Sequence, residues 1–366
     1  MELKYHKIQK IQNKRVRNRY PRLYGKNARL PEHAYGHDVG IVLLETDQGA
    51  TGWGRGHCNS DLKEYLIGKD VSHIFSAELG VIDDKALPID VALHDLAGNI
   101  LGLPVFKMMN TQAAKSVNCY DGAIYMNDIS PDSKPGGLNA VIEDCRYDYD
   151  LGYRDFKVKI GRGNMWMSHE DGFNRDIEVI QAIRRAFPES NILVDANDGY
   201  NLDTTLKFID ATLDCGIYWI EEPFIENIDD LKKLREYLEK KSPKTLIADG
   251  ESNWDIPLLK ELAKQGVIDV LLMDVCDYGF TKWRRFMLEI MDLKVMASPH
   301  CWGEKLKTHY AAHMAAAFSD MIPTIEGVPD ETEGINFEKY ILTDGKILVP
   351  EASGFGMEFI WGRDNG

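Results

Sequence analysis

The stretch YRDFKVKIG, Tyr153 to Gly161, decides the fold. Phe156, Val158 and Ile160 alternate with Lys157 and Lys159, and a period of two sends the apolar side chains to one face of a strand and both ammonium groups to the other. A strand inside a well-buried protein has no ordinary use for two lysines on one face. That face must open on something that needs positive charge.

From about residue 116 onward, short apolar runs alternate with amphipathic stretches. The runs are SVNCYDGAIY, FKVKI, NILVDAN, IYWIEEP, KTLIADGE, VIDVLLMDV, KVMASPH and IPTIEGV. Between most of them lie segments with apolar residues at helical spacing, such as RDIEVIQAIRRAF (175–187), IDDLKKLREYLEKK (228–241) and EKLKTHYAAHMAAAF (304–318). Eight strands alternating with helices over roughly 210 residues predict a parallel sheet closed into a barrel, with a doubly wound open sheet as the alternative.

The first 115 residues read differently. GHDVGIVLLETDQGATGWGRG predicts an antiparallel hairpin turning at Asp47-Gln48-Gly49, and DVALHDLAGNILG predicts a helix. The expected division is an α+β capping domain over 1–115, a barrel over 116–334, and a C-terminal segment, 335–366, that returns to the cap. The GWGRG glycines sit in the hairpin with no helix following, which argues against a dinucleotide loop. NMWM around Trp166 reads as a packed loop.

Bulk properties narrow the function. A chain of 366 residues that is 44% hydrophobic builds a sizeable core, and a net charge of -15 argues against a nucleic-acid binder. No apolar run reaches the ~18 residues a membrane span needs. Six cysteines lie far apart with no CxxC pair, which suits reduced thiols and a cytoplasmic protein. Locally, residues 1–30 hold ten Lys or Arg against the single acid Glu2. They form either a solvated surface strand and loop or a basic flap that meets an anionic ligand.

Ionisable groups gather where the predicted strands end: Lys157 and Lys159, then Asp195, Glu221, Glu251, Asp274, His300 and Glu326. From Asp195 the spacings are 26, 30, 23, 26 and 26 residues, each about one strand-helix unit, so the groups converge on one rim. Active sites of parallel barrels lie at the C-terminal rim. Asp195, Glu221 and Glu251 bring hard oxygen ligands from three consecutive strands with no Cys or His suited to zinc, which fits Mg²⁺. Rival acids are Glu222, Asp249 and Asp198. Alternation excludes Glu222 if Glu221 points inward but does not separate Asp249 from Glu251. A lysine beside another lysine and a divalent cation is disfavoured in its charged form, so Lys159 is expected at a lowered pKa, with Lys157 staying charged. Across the mouth, Asp274 is placed to orient His300 and raise its basicity.

The ordered series KVK (157–159), DAN (195–197), IEEP (220–223), GE (250–251), Asp274, SPH (298–300) and IEG (325–327) resembles the enolase superfamily, specifically its mandelate racemase subgroup. The resemblance covers nearly the whole chain and implies a (β/α)₇β TIM-type barrel with an N-terminal α+β cap. It implies one Mg²⁺ per subunit held by Asp195, Glu221 and Glu251, and abstraction of the proton α to a carboxylate through an enediolate. Lys159 and His300 would then face opposite sides of the reacting carbon, with Asp274 partnering His300 and Glu326 hydrogen-bonding the substrate carboxylate. Asn197, Lys157 and Glu326 are the expected substrate contacts. The family also implies a homo-oligomer. The sequence departs from the subgroup at VCDYGF after Asp274, which adds Asp277, and in the longer loop RGNMWMSHEDGF.

The expected activity is dehydration of an acid sugar, an aldonate or aldarate, to a 2-keto-3-deoxy acid. A racemase or epimerase, or a cycloisomerase, uses much the same intermediate. A binding barrel without turnover and a Schiff-base aldolase acting through Lys159 are the remaining alternatives.

Overall fold

The computed structural model describes residues 2–360 other than 33 and 253. The last six residues of the expected C-terminal segment, 361–366, lie outside the described residues.

The cap begins with the long strand Ile8–Arg19, which pairs antiparallel with Asp38–Thr46, and this in turn pairs with Thr51–Arg55. The tight turn at Asp47-Gln48-Gly49 closes the second hairpin, with Gly49 at φ 79°. Helix Asp90–Leu101 lies flush on Thr51–Arg55: a Cβ on Gly52 would stand 2.3 Å from the Leu96 nitrogen, and one on Gly54 2.9 Å from the Ala92 nitrogen. The GWGRG glycines therefore serve close helix-on-strand packing.

The barrel strands are Ser116–Ile124, Phe156–Lys159, Ile192–Asp195, Ile217–Glu221, Leu246–Asp249, Val270–Leu271, Met296–Ala297 and Ile325–Gly327. Parallel pairing runs from the first strand to the seventh in sequence order, and the eighth pairs with the first. This is a TIM-type barrel preceded by an N-terminal cap. Helices follow the first seven strands: Leu138–Asp150, His169–Ala186, Leu202–Ala211, Ile228–Lys241, Ile256–Lys264, Phe280–Ile290 and Lys305–Ala317. Among the described residues no helix follows the eighth. The chain instead runs out through short strands: Glu331–Thr332 joins the edge of the cap sheet beside Ile8–Arg19, and Lys346–Leu348 pairs with the start of the first barrel strand.

Alternation along the strands builds two cores. Phe156, Val158 and Ile160 point outward into the apolar shell between strands and helices. Inside the barrel, Tyr120, Leu193, Trp219, Ala248, Val270 and Leu272 form an apolar floor. Above that floor the inward positions become charged.

Candidate active site

The register of the strands brings the rim together. Lys159 is the direct neighbour of Asp195 across the second and third strands, and Asp195 of Glu221 across the third and fourth. Asp274 and His300 face each other across a parallel bridge. Asp195, Glu221 and Asp274 therefore stand two residues up their strands from the floor residues Leu193, Trp219 and Leu272, while Lys157 and Glu326 enter lower, level with Leu193 and Tyr120.

Asp195, Glu221 and Glu251 offer carboxylate oxygens within 4.8 Å of one another. Lys157 Nζ lies 2.7 Å from Glu221 Oε1, 2.9 Å from Glu326 Oε1 and 3.8 Å from Asp195 Oδ2. Lys159 Nζ donates to Asp195 Oδ2, and the Asn197 amide N–H donates to Asp195 Oδ1 at 2.8 Å. Trp219 of the floor donates its indole N–H to Glu221 Oε2 at 3.1 Å. On the other side, His300 Nε2 lies 3.2 Å from Glu251 and 3.5 Å from Glu326, and its Nδ1 lies 3.4 Å from Asp274 Oδ2. Glu326 Oε2 accepts from the Cys301 N–H at 2.7 Å. Lys159, Asp274, His300 and Glu326 are all buried.

The donor set itself answers whether a divalent cation fits. All three groups supply hard oxygen, Glu251 Oε2 is buried with no hydrogen-bond partner among the described residues, and so is Oδ1 of Asn197, the neighbour of Asp195. Burial, with Asp195 and Glu251 nearby, pushes the Glu221 carboxyl up to about 8 even against Lys157, as expected where like charges await a counter-ion. The residues fit Mg²⁺.

The rival acids point elsewhere. Gly250, at φ +99°, turns the chain after the fifth strand, so Asp249 bonds to the Gly250 N–H at 2.7 Å while Glu251 swings back to the rim. Glu222 accepts from the Ser252 N–H at 3.0 Å, and Asp198 pairs with Arg29 at 2.7 Å.

The lowered pKa expected for Lys159 assumes a lysine beside a cation; with the protein's own groups alone the balance runs the other way. Burial is the largest influence on the Lys159 ammonium and pulls it down, and Lys157 repels it, but Asp195 in contact with it, together with Glu251 and Glu221, outweighs them and the pKa is raised. The sequence reading counted the neighbouring lysine and a cation, whereas in the structure the ammonium sits on the carboxylate that a cation would share. Lys157 is held well above its ordinary value by Glu221 and Glu326, against its own burial, as expected for a lysine that stays charged. For His300, burial favours the neutral ring, yet Glu251, Glu326 and the Asp274 hydrogen bond raise it to about 9.

Several residues escaped the sequence reading. Lys307, one turn into helix Lys305–Ala317, donates to Asp274 Oδ2 at 2.8 Å, so Asp274 is shared between an ammonium and the imidazole. Arg162, fully buried, bonds Asp128 at 2.6 Å and Asp176 at 2.7 Å and donates to the Lys159 carbonyl at 3.0 Å, fixing the end of the lysine strand. Asp277 stays at the edge, paired with Arg55 of the cap at 3.2 Å.

The basic flap covers the mouth, but its cations bind the barrel. Arg22 bonds Asp148 and lies 3.3 Å from Asp144, and Lys26 donates to Ser130 Oγ at 3.1 Å. Tyr20 donates to the Gly303 carbonyl at 3.0 Å and Tyr24 to that of Pro329 at 2.6 Å. The longer loop after the lysines meets the flap, Trp166 donating to the Asn27 carbonyl at 2.7 Å and Asn164 to that of Ala28 at 2.8 Å. Arg22, Lys26 and Arg29 thus fasten cap to barrel, whereas Lys10 and Arg17 pair within the cap with Glu45 and Asp38.

Comparison with known proteins agrees with this architecture. The profile of the family described as "Enolase C-terminal domain-like" matches residues 140–362. The structure of galacturonate dehydratase from Geobacillus sp., complexed with D-galacturonate and 5-keto-4-deoxy-D-galacturonate, is 30% identical with a TM-score of 0.90, covering 97% of this chain and 95% of that one. A mandelate racemase/muconate lactonizing protein from Geobacillus sp. Y412MC10, complexed with magnesium and tartrate, is 30% identical with a TM-score of 0.89, covering 97% and 93%. D-galactarolactone cycloisomerase of Agrobacterium fabrum is 24% identical over 351 residues, 87% of this chain and 88% of its own. A profile match over more than half of the sequence, and a likeness in structure that runs its whole length, place it: the chain belongs to the enolase C-terminal domain-like family, among the mandelate racemase-like members of the enolase superfamily.

Proposed function

We propose that this protein dehydrates a sugar acid, removing the proton α to its carboxylate and expelling the β-hydroxyl as water. The observation that carries the reading is the placement of a lysine and a histidine on either flank of one carboxylate triad. Lys159 contacts Asp195 at one end and His300 lies against Glu251 at the other, with the ligand-bearing strands between them.

Asp195, Glu221 and Glu251 hold Mg²⁺ in this reading. When bound, the ion supplies fixed positive charge where the deprotonated substrate carboxylate gathers its second negative charge. Lys157, charged and anchored by Glu221 and Glu326, meets the same carboxylate, with Glu326 and Asn197 as further contacts. Lys159 takes the α-proton. It does so as the free amine, so its ammonium must first lose the support of Asp195 that now raises its pKa. His300, raised to about 9, carries a proton at neutral pH and delivers it to the departing β-hydroxyl from the opposite face. Asp274 orients the imidazole through Nδ1, and Lys307 holds Asp274 in place. The atoms balance: the C–H proton goes to Lys159 Nζ, the C–O bond breaks with the histidine proton to give water, and the enol product tautomerises to a keto-deoxy acid.

The two flanking groups also suit a second reading, racemisation or epimerisation, in which one removes the proton and the other returns it. One incubation separates the two. With Mg²⁺ and a panel of aldonates, aldarates and uronates, galacturonate included, dehydration yields a keto-deoxy acid detected as its semicarbazone. Exchange of the α-proton for deuterium with no keto acid supports the second reading. Absence of both across the panel contradicts an enzyme of this class.

A further inference from the structure

Asp277, the acid that this sequence adds after Asp274, meets Arg55, the last residue of the cap strand Thr51–Arg55. Arg55 Nη1 donates to Asp277 Oδ1 at 3.2 Å, and Nε of the same guanidinium donates to Glu304 Oε1 at 3.0 Å. The two acids belong to different loops. Asp277 stands in the loop after the sixth barrel strand, which holds Asp274, and Glu304 in the loop after the seventh, which holds His300. One planar fork from the cap therefore spans the two loops that carry the imidazole and its partner.

Each end of the fork reaches the dyad in a few bonds. The Asp277 N–H donates to Asp274 Oδ1 at 3.0 Å, beside that of Cys276 at 2.8 Å, so the placement of Asp277 helps set the carboxylate. Glu304, buried, immediately precedes helix Lys305–Ala317, whose Lys307 holds Asp274 Oδ2 at 2.8 Å. The cap grips this helix start at further points: His37 Nε2 lies 3.3 Å from Glu304 Oε1, and the Arg55 N–H donates to the Tyr310 hydroxyl at 3.1 Å, one turn beyond Lys307.

Stability is a poor reason for the fork. The Asp277 side chain is 57% exposed, and ion pairs so open to solvent add little. Geometry is a better reason. His300 Nδ1 stands 3.4 Å from Asp274 Oδ2, already long for a hydrogen bond, so a small shift of one loop against the other breaks the contact.

We infer that Arg55 is a positioning residue for the dehydration, on which reading the inference rests: by gripping Asp277 and Glu304 together it fixes the loop of Asp274 against the loop of His300, so that the imidazole is aimed while the cap is seated. Arg55 acts through these groups and not on the substrate. The opposite flank is outside its reach, since Lys159 is held by Asp195 and, through its carbonyl, by Arg162.

The test separates the two flanks. Arg55→Met is assayed in D₂O with Mg²⁺ and the sugar acid that the wild type turns over fastest, and both keto-deoxy acid and deuterium at the α-carbon of recovered substrate are measured. Water loss falls about 10–100-fold in kcat while KM stays within about twofold. Deuterium entry per water lost rises about tenfold or more, because Lys159 still removes the proton while the misaimed histidine is slow to protonate the leaving hydroxyl. Asp277→Ala, which frees one arm of the fork, gives the same pattern at about fivefold in kcat, and it decides the matter if Arg55→Met does not fold. Arg19→Met, which breaks an exposed cap pair with Glu333, changes neither rate. Unfolding midpoints close to wild type show that the variants are folded.

With an active wild type, the inference is overturned by wild-type kinetics in a folded Arg55→Met. It is overturned equally by a raised KM with kcat unchanged, because Arg55 then binds substrate, and by equal loss of exchange and water loss, because its role is then general. A wild type that neither exchanges nor dehydrates any sugar acid sinks the dehydration reading itself, and the inference falls with it.

Discussion

The inside of the barrel has two storeys built from the same strands. The lower one, with Leu193, Trp219 and Leu272, is apolar and packed; the upper one, with Asp195, Glu221 and Asp274 two residues further along, is charged. The floor stabilises the fold by ordinary burial. The rim works against it, since burial raises Glu221 and leaves Glu251 Oε2 unpartnered. A strand can thus change its task within about 7 Å, and stability and chemistry are separable by mutation.

Substitution at the rim has its largest effect on rate. Lys159→Met and His300→Asn are each expected to lower kcat by on the order of 10²–10⁴-fold in the sugar acid assay, with unfolding midpoints at or above wild type. An unfolding midpoint that falls with the rate would erase the distinction between storeys. At the floor the expectation reverses. Trp219→Ala costs about 3–5 kcal/mol in denaturant unfolding, because it empties a large buried volume and removes the donor to Glu221.

A smaller effect links the two through pH. Glu221 must be ionised to bind a cation, and burial with Asp195 and Glu251 pushes it up to about 8 against the pull of Lys157. The stabilisation given by Mg²⁺ should therefore grow as pH rises through about 8, towards ~2.7 kcal/mol at a hundredfold excess over Kd. In the metal-free protein the sign is opposite. The folded pKa of Glu221 lies above its ordinary value, so its contribution is favourable at low pH and is lost as pH rises through about 8. Thermal unfolding with and without Mg²⁺ across this range reads both trends. Stability is least affected at the outer edge: Asp277→Asn removes a pair with Arg55 that is 57% exposed on the aspartate side and shifts stability by less than about 1 kcal/mol.

The sequence made the rim legible because one strand-helix unit separates one acid from the next, and a two-residue period sends Lys157 and Lys159 inward. It could not separate Asp249 from Glu251, since the choice is made by the positive φ of Gly250, a backbone turn that alternation does not encode. Lys307 reads as an ordinary helix lysine in EKLK, and only the pairing of the sixth and seventh strands sets it on Asp274. Arg162 was invisible for a similar reason: Asp128 and Asp176 reach it from segments 34 and 14 residues away. The carboxylate that raises Lys159 in the absence of a cation lies on the neighbouring strand, a pairing that the sequence does not display. The missing eighth helix was implied by the family resemblance.

The most direct measurement is a calorimetric titration of Mg²⁺ into the wild type and into Glu251→Gln. One ion per chain is expected in the wild type, with binding lost in a variant that folds as well as its parent. Failure of the wild type to bind, or undiminished affinity in the variant, would mean that Asp195, Glu221 and Glu251 do not share a cation, and the chemistry assigned to the mouth would fall with it.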